Sequence, residues 1–203
     1  MALVAVAVLV ALPPVERFVR ELSYPLRDTA IINRQAAAEH LDPALIAAVI
    51  YVESKFDPRT SSAGALGLMQ VEPSTARLLA HMSDGTEFTV ADLAHPATNV
   101  AYGSYYLRYL LNLYDGSLTL ALAAYNAGPT NVDGWLARAR ADGRTLSIAT
   151  IPFPQTRAYV AKVEAATKIY RRDYAKLLGP AVCQAVTTSA KRRNMREVAP
   201  STC

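Results

Sequence analysis

Glu53 is the residue whose type and setting point most directly to chemistry. It lies in the stretch LIAAVIYVESKF, with Val49 four residues before it and Ile50 three before. Those are the spacings that share a helix face, so the side chain is expected to leave the helix among apolar neighbours. A carboxylate on an apolar face loses solvation of its charged form and its pKa rises. A carboxylic acid of that kind can donate a proton near neutral pH. The same residue also reads as the first exposed position of a helix end, because Ser54 and Lys55 follow. Periodicity alone leaves both readings open.

Other chemistries are poorly served. His40, His81 and His95 lack the HExxH spacing, and Cys183 and Cys203 are too few for a cysteine-rich zinc site. No metal and no cofactor is expected. There is no GxGxxG or P-loop for a nucleotide. Nor is there a basic stripe interleaved with aromatics, so no nucleic-acid partner is expected.

The elements that must carry Glu53 read as helices. Apolar residues recur at three- and four-residue spacing, and sustained alternation is rare. The pattern predicts helices over Thr29–Leu41, Ala44–Lys55, Pro73–His81, a long one from Pro96, 118–125, about 130–140, and Gln155–Leu178. Asp42-Pro43 supplies an N-cap and a first-turn proline, Ser117 another cap, and Asn126-Ala127-Gly128-Pro129 a stop. Residues 57–67 read as a polar loop. Residues 144–153 read as a short strand or an extended connector. In isolation Gly64, Gly67 and Gly128 are ordinary turn glycines. Met69 reads as packing, Tyr102, Tyr105, Tyr106 and Tyr109 as a packed helix face, and Tyr125-Asn126 as a helix end.

Composition sets the frame. The chain has 203 residues, 52% hydrophobic and 19% charged, which excludes an intrinsically disordered polymer. A mean hydropathy of +0.13 is far too low for a bundle of membrane spans. The length suits one domain with tails. Net charge is +4, of which +3 falls on residues 181–203 through Lys191, Arg192, Arg193, Arg196 and Glu197. Met1–Leu12 is wholly apolar and is followed by Pro13-Pro14. It is too short to span a bilayer comfortably and suits an export signal or anchor, although it lacks the usual positive flank. A start site further upstream, adding Lys or Arg, is the expected explanation. Three segments result: 1–20 as a signal- or anchor-like stretch, 24–178 as the working domain, and 179–203 as a basic, loosely held tail in which Cys183 and Cys203 either pair or remain free thiols.

Three blocks, taken together, are more specific than any single residue. They are ESKFDPRTSSAGALGLMQ from Glu53, LALAAYNAGPTNVDGWL some seventy residues later, and IPFPQTRAYVAKV beyond it. In this order they resemble the soluble-type lytic transglycosylases, a family with a lysozyme-like fold, and the resemblance covers about Tyr24 to Leu178. It implies a mostly α, lysozyme-like helical domain with a deep substrate cleft. Glu53 would be the single acid/base, and Gln70 of GLMQ would face the cleft. Tyr125 and Asn126 of AAYNAG would orient the glutamate and the sugar. A serine near the carboxylate would be Ser61 or Ser62, with Ser62 preferred. Tyr159 falls in the last block. Two departures stand out: Glu72 occupies a position where the family often has methionine, and Gln155 replaces a frequent glutamate. Glu72 directly precedes Pro73 and reads as favouring a helix N-terminus.

The implied reaction needs one carboxyl group, whereas an ordinary glycosidase needs two. Protonated Glu53 would donate to the β-1,4 glycosidic oxygen between N-acetylmuramic acid and N-acetylglucosamine. The resulting carboxylate would then take the proton of the C6 hydroxyl, which closes on C1 to give a 1,6-anhydro end. Tyr125 is expected to hydrogen-bond Glu53, with Ser62, Gln70 and Asn126 on the sugar. The partner would be peptidoglycan glycan strands, outside the cytoplasmic membrane in the periplasm or envelope, with membrane association through the N-terminal segment. The alternatives are a goose-type lysozyme-like hydrolase and a non-catalytic glycan-binding scaffold.

Overall fold

The computed structural model describes residues 21–82 and 89–179. The expectations for 1–20, for the basic tail and for both cysteines lie outside these residues. Seven α-helices order the described chain: α1 Thr29–Ala38, α2 Pro43–Ser54, α3 Pro73–Met82, α4 Pro96–Leu113, α5 Leu118–Ala127, α6 Pro129–Ala141 and α7 Pro154–Asp173. The fold is mostly α, as expected. Five of the seven begin with proline, which loses no helical hydrogen bond at that position. Asp42 caps α2 by accepting from the Ala44 amide at 2.8 Å, and Ser117 caps α5 by accepting from Leu120 at 3.4 Å.

The core forms around α2. Every residue from Pro43 to Ile50 is buried, and α2 packs along the length of α7. A helix apolar all round has no solvent face to show, so its sides are all covered. α5 packs on α4, α6 and α7, closing the bundle with Ala121–Ala124 fully buried. The two ends of the described domain meet. Tyr174 Oη donates to the Tyr24 carbonyl at 2.6 Å and Tyr170 Oη to that of Pro25 at 2.7 Å. Asn33 completes the clasp, donating to the Leu177 carbonyl and accepting from the Gly179 amide.

Several boundaries differ from the sequence reading. α1 stops at Ala38, and His40 takes a left-handed φ of 52° that turns buried Leu41 into α2. α7 stops at Asp173 rather than Leu178. Residues 57–67 are not merely a loop: Arg59–Thr60 pairs antiparallel with Leu66–Gly67. Strands of two residues carry too little alternation to read from sequence. In 144–153 there is no strand. Ser147 and Thr150 cap a 3-10 turn at Ile148–Thr150, and the Ile151 carbonyl accepts from Arg157 Nη1 at 2.8 Å.

Candidate active site

The C-terminal end of α2 opens into a cavity of about 330 Å³. Glu53, Ser61, Gln70, Tyr125 and Asn126 all line it. Residues spread over more than seventy positions of sequence are therefore brought to one cavity. Glu53 is largely buried, and the loss of water pushes its carboxyl up to about 7. The cause differs from the sequence argument. α2 has no single apolar face; Pro43–Ile50 are buried on every side, and Glu53 sits where the helix runs out into the cavity.

Two tyrosines, Tyr125 and Tyr159, stand near enough to Glu53 to feel its charge. Tyr125 Oη donates to the Met69 carbonyl at 3.0 Å. Tyr159, from α7, has its hydroxyl close enough to Glu53 to favour the charged carboxylate, opposing the effect of burial. That hydroxyl is buried and meets no partner in full hydrogen-bond geometry. Burial and the Glu53 charge hold both phenols well above the usual tyrosine range, so both stay neutral donors. Sequence pointed to Tyr159 only through its block. Its contact with Glu53 follows from the packing of α7 on α2, which local pattern does not specify.

The opposite wall is the Gly67–Val71 turn, and it is held by polar side chains. Asn99 is fully buried at the start of α4. Its Oδ1 accepts from the Met69 amide at 2.8 Å, and its Nδ2 donates to the carbonyls of Leu66 at 2.8 Å and Leu93 at 3.1 Å. Ser54, also fully buried, donates to the Leu68 carbonyl at 2.7 Å and so ties the turn to the residue beside Glu53. Gln70 takes a φ of 48°, and its Nε2 donates to the carbonyls of Arg59 and Gly67, which leaves Oε1 as its free polar atom. Gly67 is required here: a Cβ would lie 2.2 Å from Asn99 Nδ2, and its φ is +75°. Asn126 accepts from Thr156 Oγ1 at 2.9 Å, which fixes the orientation of its amide.

Two placements revise the site. Ser62 is exposed and is not among the lining residues; Ser61 is. Ser61 closes the hairpin loop on itself, its Oγ accepting from the Ala65 amide at 3.0 Å, which turns Ser61 inward and leaves Ser62 at the tip. Glu72, read as a helix-terminus residue, lines the cavity as a second carboxylate. Among the described residues no cluster of His, Cys, Asp or Glu could hold a metal, and no helix is long and apolar enough to cross a membrane.

Comparison with known proteins places this architecture. The model of the transglycosylase SLT domain matches residues 30–148. The chain belongs to the SLT transglycosylase family. It is 33% identical over 156 residues to the soluble lytic murein transglycosylases of Salmonella typhimurium and of Escherichia coli K12, matching 74% of this chain and 24% of each relative. The lytic transglycosylase Slt of Pseudomonas aeruginosa superposes with a TM-score of 0.70 at 32% identity, covering 81% of this chain and 27% of that one. This SLT domain thus spans about a quarter of the length of the relatives it matches. The helical bundle described above is the lysozyme-like fold of those proteins.

Proposed function

We propose that the chain is a peptidoglycan lytic transglycosylase whose working domain is 24–178 and whose single acid/base is Glu53. The observation that carries this reading is a glutamate raised to about 7 at the end of a helix buried from Pro43 to Ile50, opening on a cavity whose other wall is the GLMQ turn. At that value the carboxyl exchanges its proton readily near neutral pH, so one group serves first as acid and then as base. Tyr159 stabilises the carboxylate that forms after donation. Asn126 and Gln70 present polar atoms to the sugar, and Ser61 takes the place expected of Ser62. The relatives are named as murein transglycosylases, and the Pseudomonas aeruginosa structure is of an inactive glutamate-to-glutamine mutant. A related 70-kDa enzyme has been solved in complex with bulgecin A, at a TM-score of 0.71 to this chain.

Because the substrate polymer lies outside the cytoplasmic membrane, the protein acts there, in the periplasm or envelope. Digestion of purified sacculi with mass spectrometry of the products tests the reading. Anhydro-muramyl ends are expected from the wild type and none from Glu53→Gln. Reducing ends would replace the lyase by the hydrolase, a reading that the second cavity carboxylate, Glu72, would then supply with a base. Intact sacculi would leave only the binding scaffold.

A further inference from the structure

Glu72 is a carboxylate in the cavity that proton transfer at Glu53 does not use. It lines the space with Thr75 and Tyr106. One of its oxygens accepts a long hydrogen bond of 3.4 Å from Ser74 Oγ. The other has no donor among the described residues. The backbone holds it in place: Val71 before it is buried and bridged to Leu66, and Pro73 after it begins α3. An exposed side chain on a backbone so anchored, with an unengaged oxygen on a cavity, is placed to meet a ligand.

The charge of the cavity says which kind. Glu53 and Glu72 are its acidic lining residues, and none of the described lining residues is Lys, Arg or His. The Glu72 charge acts on the Tyr106 hydroxyl, and the Tyr106 ring lies 5.4 Å from that of Tyr125. Glu53 instead answers to burial and to Tyr159. Glu72 is thus grouped with Tyr106, and Glu53 with Tyr159. A carboxylate beside an aromatic ring recognises a cation, by a charge-assisted hydrogen bond and by the face of the ring. On a strand of N-acetylated amino sugars, the cationic unit is the same sugar without its acetyl group, which carries an ammonium.

Building on the glycan-strand reading, we propose that Glu72 with Tyr106 forms a specificity site for a de-N-acetylated amino sugar at the end of the cavity away from Glu53. Separation of the two acids matters. An ammonium against Glu53 would favour its charged form and remove the acid, whereas one held at Glu72 leaves the donor protonated. Calorimetric titration of the full chain carrying Glu53→Gln measures binding without cleavage, using tetramers of glucosamine and of N-acetylglucosamine. The glucosamine tetramer should bind about 5-fold more tightly at low salt, with the preference shrinking as salt rises. Adding Glu72→Gln should remove the preference, and Glu72→Lys should reverse it. Equal binding of the two tetramers, or a preference that survives Glu72→Gln, overturns the proposal. Wild-type cleavage of sacculi before and after chemical de-N-acetylation separates the two readings. Failure to cut either, with the binding preference intact, removes the lyase and leaves the amine site. Equal cutting of both, unchanged by Glu72→Gln, removes the amine site and leaves the lyase.

Discussion

The two walls of the cavity are held by different physics. Glu53 stands on α2, which is fixed by apolar burial from Pro43 to Ile50 and by the long contact with α7. The facing turn, Gly67–Val71, is fixed by hydrogen bonds from Asn99, Ser54, Gln70 and Tyr125 to its backbone. Apolar packing is non-directional and tolerates change in any one residue. A backbone turn held by side-chain amides and hydroxyls has a single solution, and each lost partner leaves a buried group unsatisfied. The glutamate therefore rests on a redundant support and the facing turn on a brittle one.

The comparison breaks most sharply at Glu53 itself. Glu53→Gln should lower cleavage by at least about 100-fold, since an amide cannot transfer the proton. The fold should gain stability at the same time. The Glu53 carboxyl lies at about 7, against an ordinary 4.5. Between those values the native state holds more protons than the unfolded chain, so its stability falls as pH rises through the window. Above about pH 7 the buried charge costs roughly 2–3 kcal/mol, which glutamine avoids. Denaturant curves at pH 5 and pH 8 check this: the variant should match the wild type near the first and exceed it at the second. A variant less stable than wild type at pH 8 would contradict the burial account.

Asn99→Ala probes the brittle wall. It strips partners from the Met69 amide and from two carbonyls, and about 3 kcal/mol of stability should be lost. By contrast, Val49→Ala on α2 should cost about 1–2 kcal/mol and leave the pH profile of cleavage unchanged, because its neighbours can close in. Urea unfolding of the two variants decides whether the walls differ as described.

The tyrosines sharpen it further. Tyr159→Phe removes the hydroxyl that favours the Glu53 carboxylate, so the carboxyl should rise above 7 and the basic limb of kcat/KM should move to higher pH. Tyr125→Phe frees the Met69 carbonyl and should slow turnover about tenfold with the basic limb unmoved. Matching pH profiles for the two variants would assign both phenols to one wall. Gly103→Ala presses on the same turn, since a Cβ there would lie 2.5 Å from Met69 Sδ and 2.8 Å from Met69 Cβ, and Met69 is buried with its amide and carbonyl both held. The sulfur can swing away but Met69 Cβ cannot, so thermal denaturation should show a loss of about 1–3 kcal/mol.

What sequence made legible follows the same division. The helices, their prolines and caps, and Glu53 among apolar neighbours are local patterns, and all survived in the structure. Asn99 did not announce itself, because its partners lie 30 and 33 residues away in an irregular turn. Ser61 and Ser62 are adjacent polar residues, and only the bond from Ala65 N–H to Ser61 Oγ decides which faces inward. Tyr125 was tied to Glu53 through resemblance, while the packing of α7 on α2 adds Tyr159 beside it. Glu72 read as a helix-start residue because Pro73 follows; the cavity it borders needs Tyr106 of α4 and Tyr125–Ala127 of α5, which lie far along the chain.

The clasp between Tyr24 and Tyr174 makes this domain a cassette with one doorway. Its polypeptide arrives and departs at a single place, since Tyr174 Oη reaches the Tyr24 carbonyl and Asn33 holds both Leu177 and Gly179. A host protein can receive such a unit within a surface loop, or follow it with another module, without prying its ends apart. The same closeness suits it to circular permutation: a short linker across the doorway and a new break at an exposed loop tip should return the same bundle.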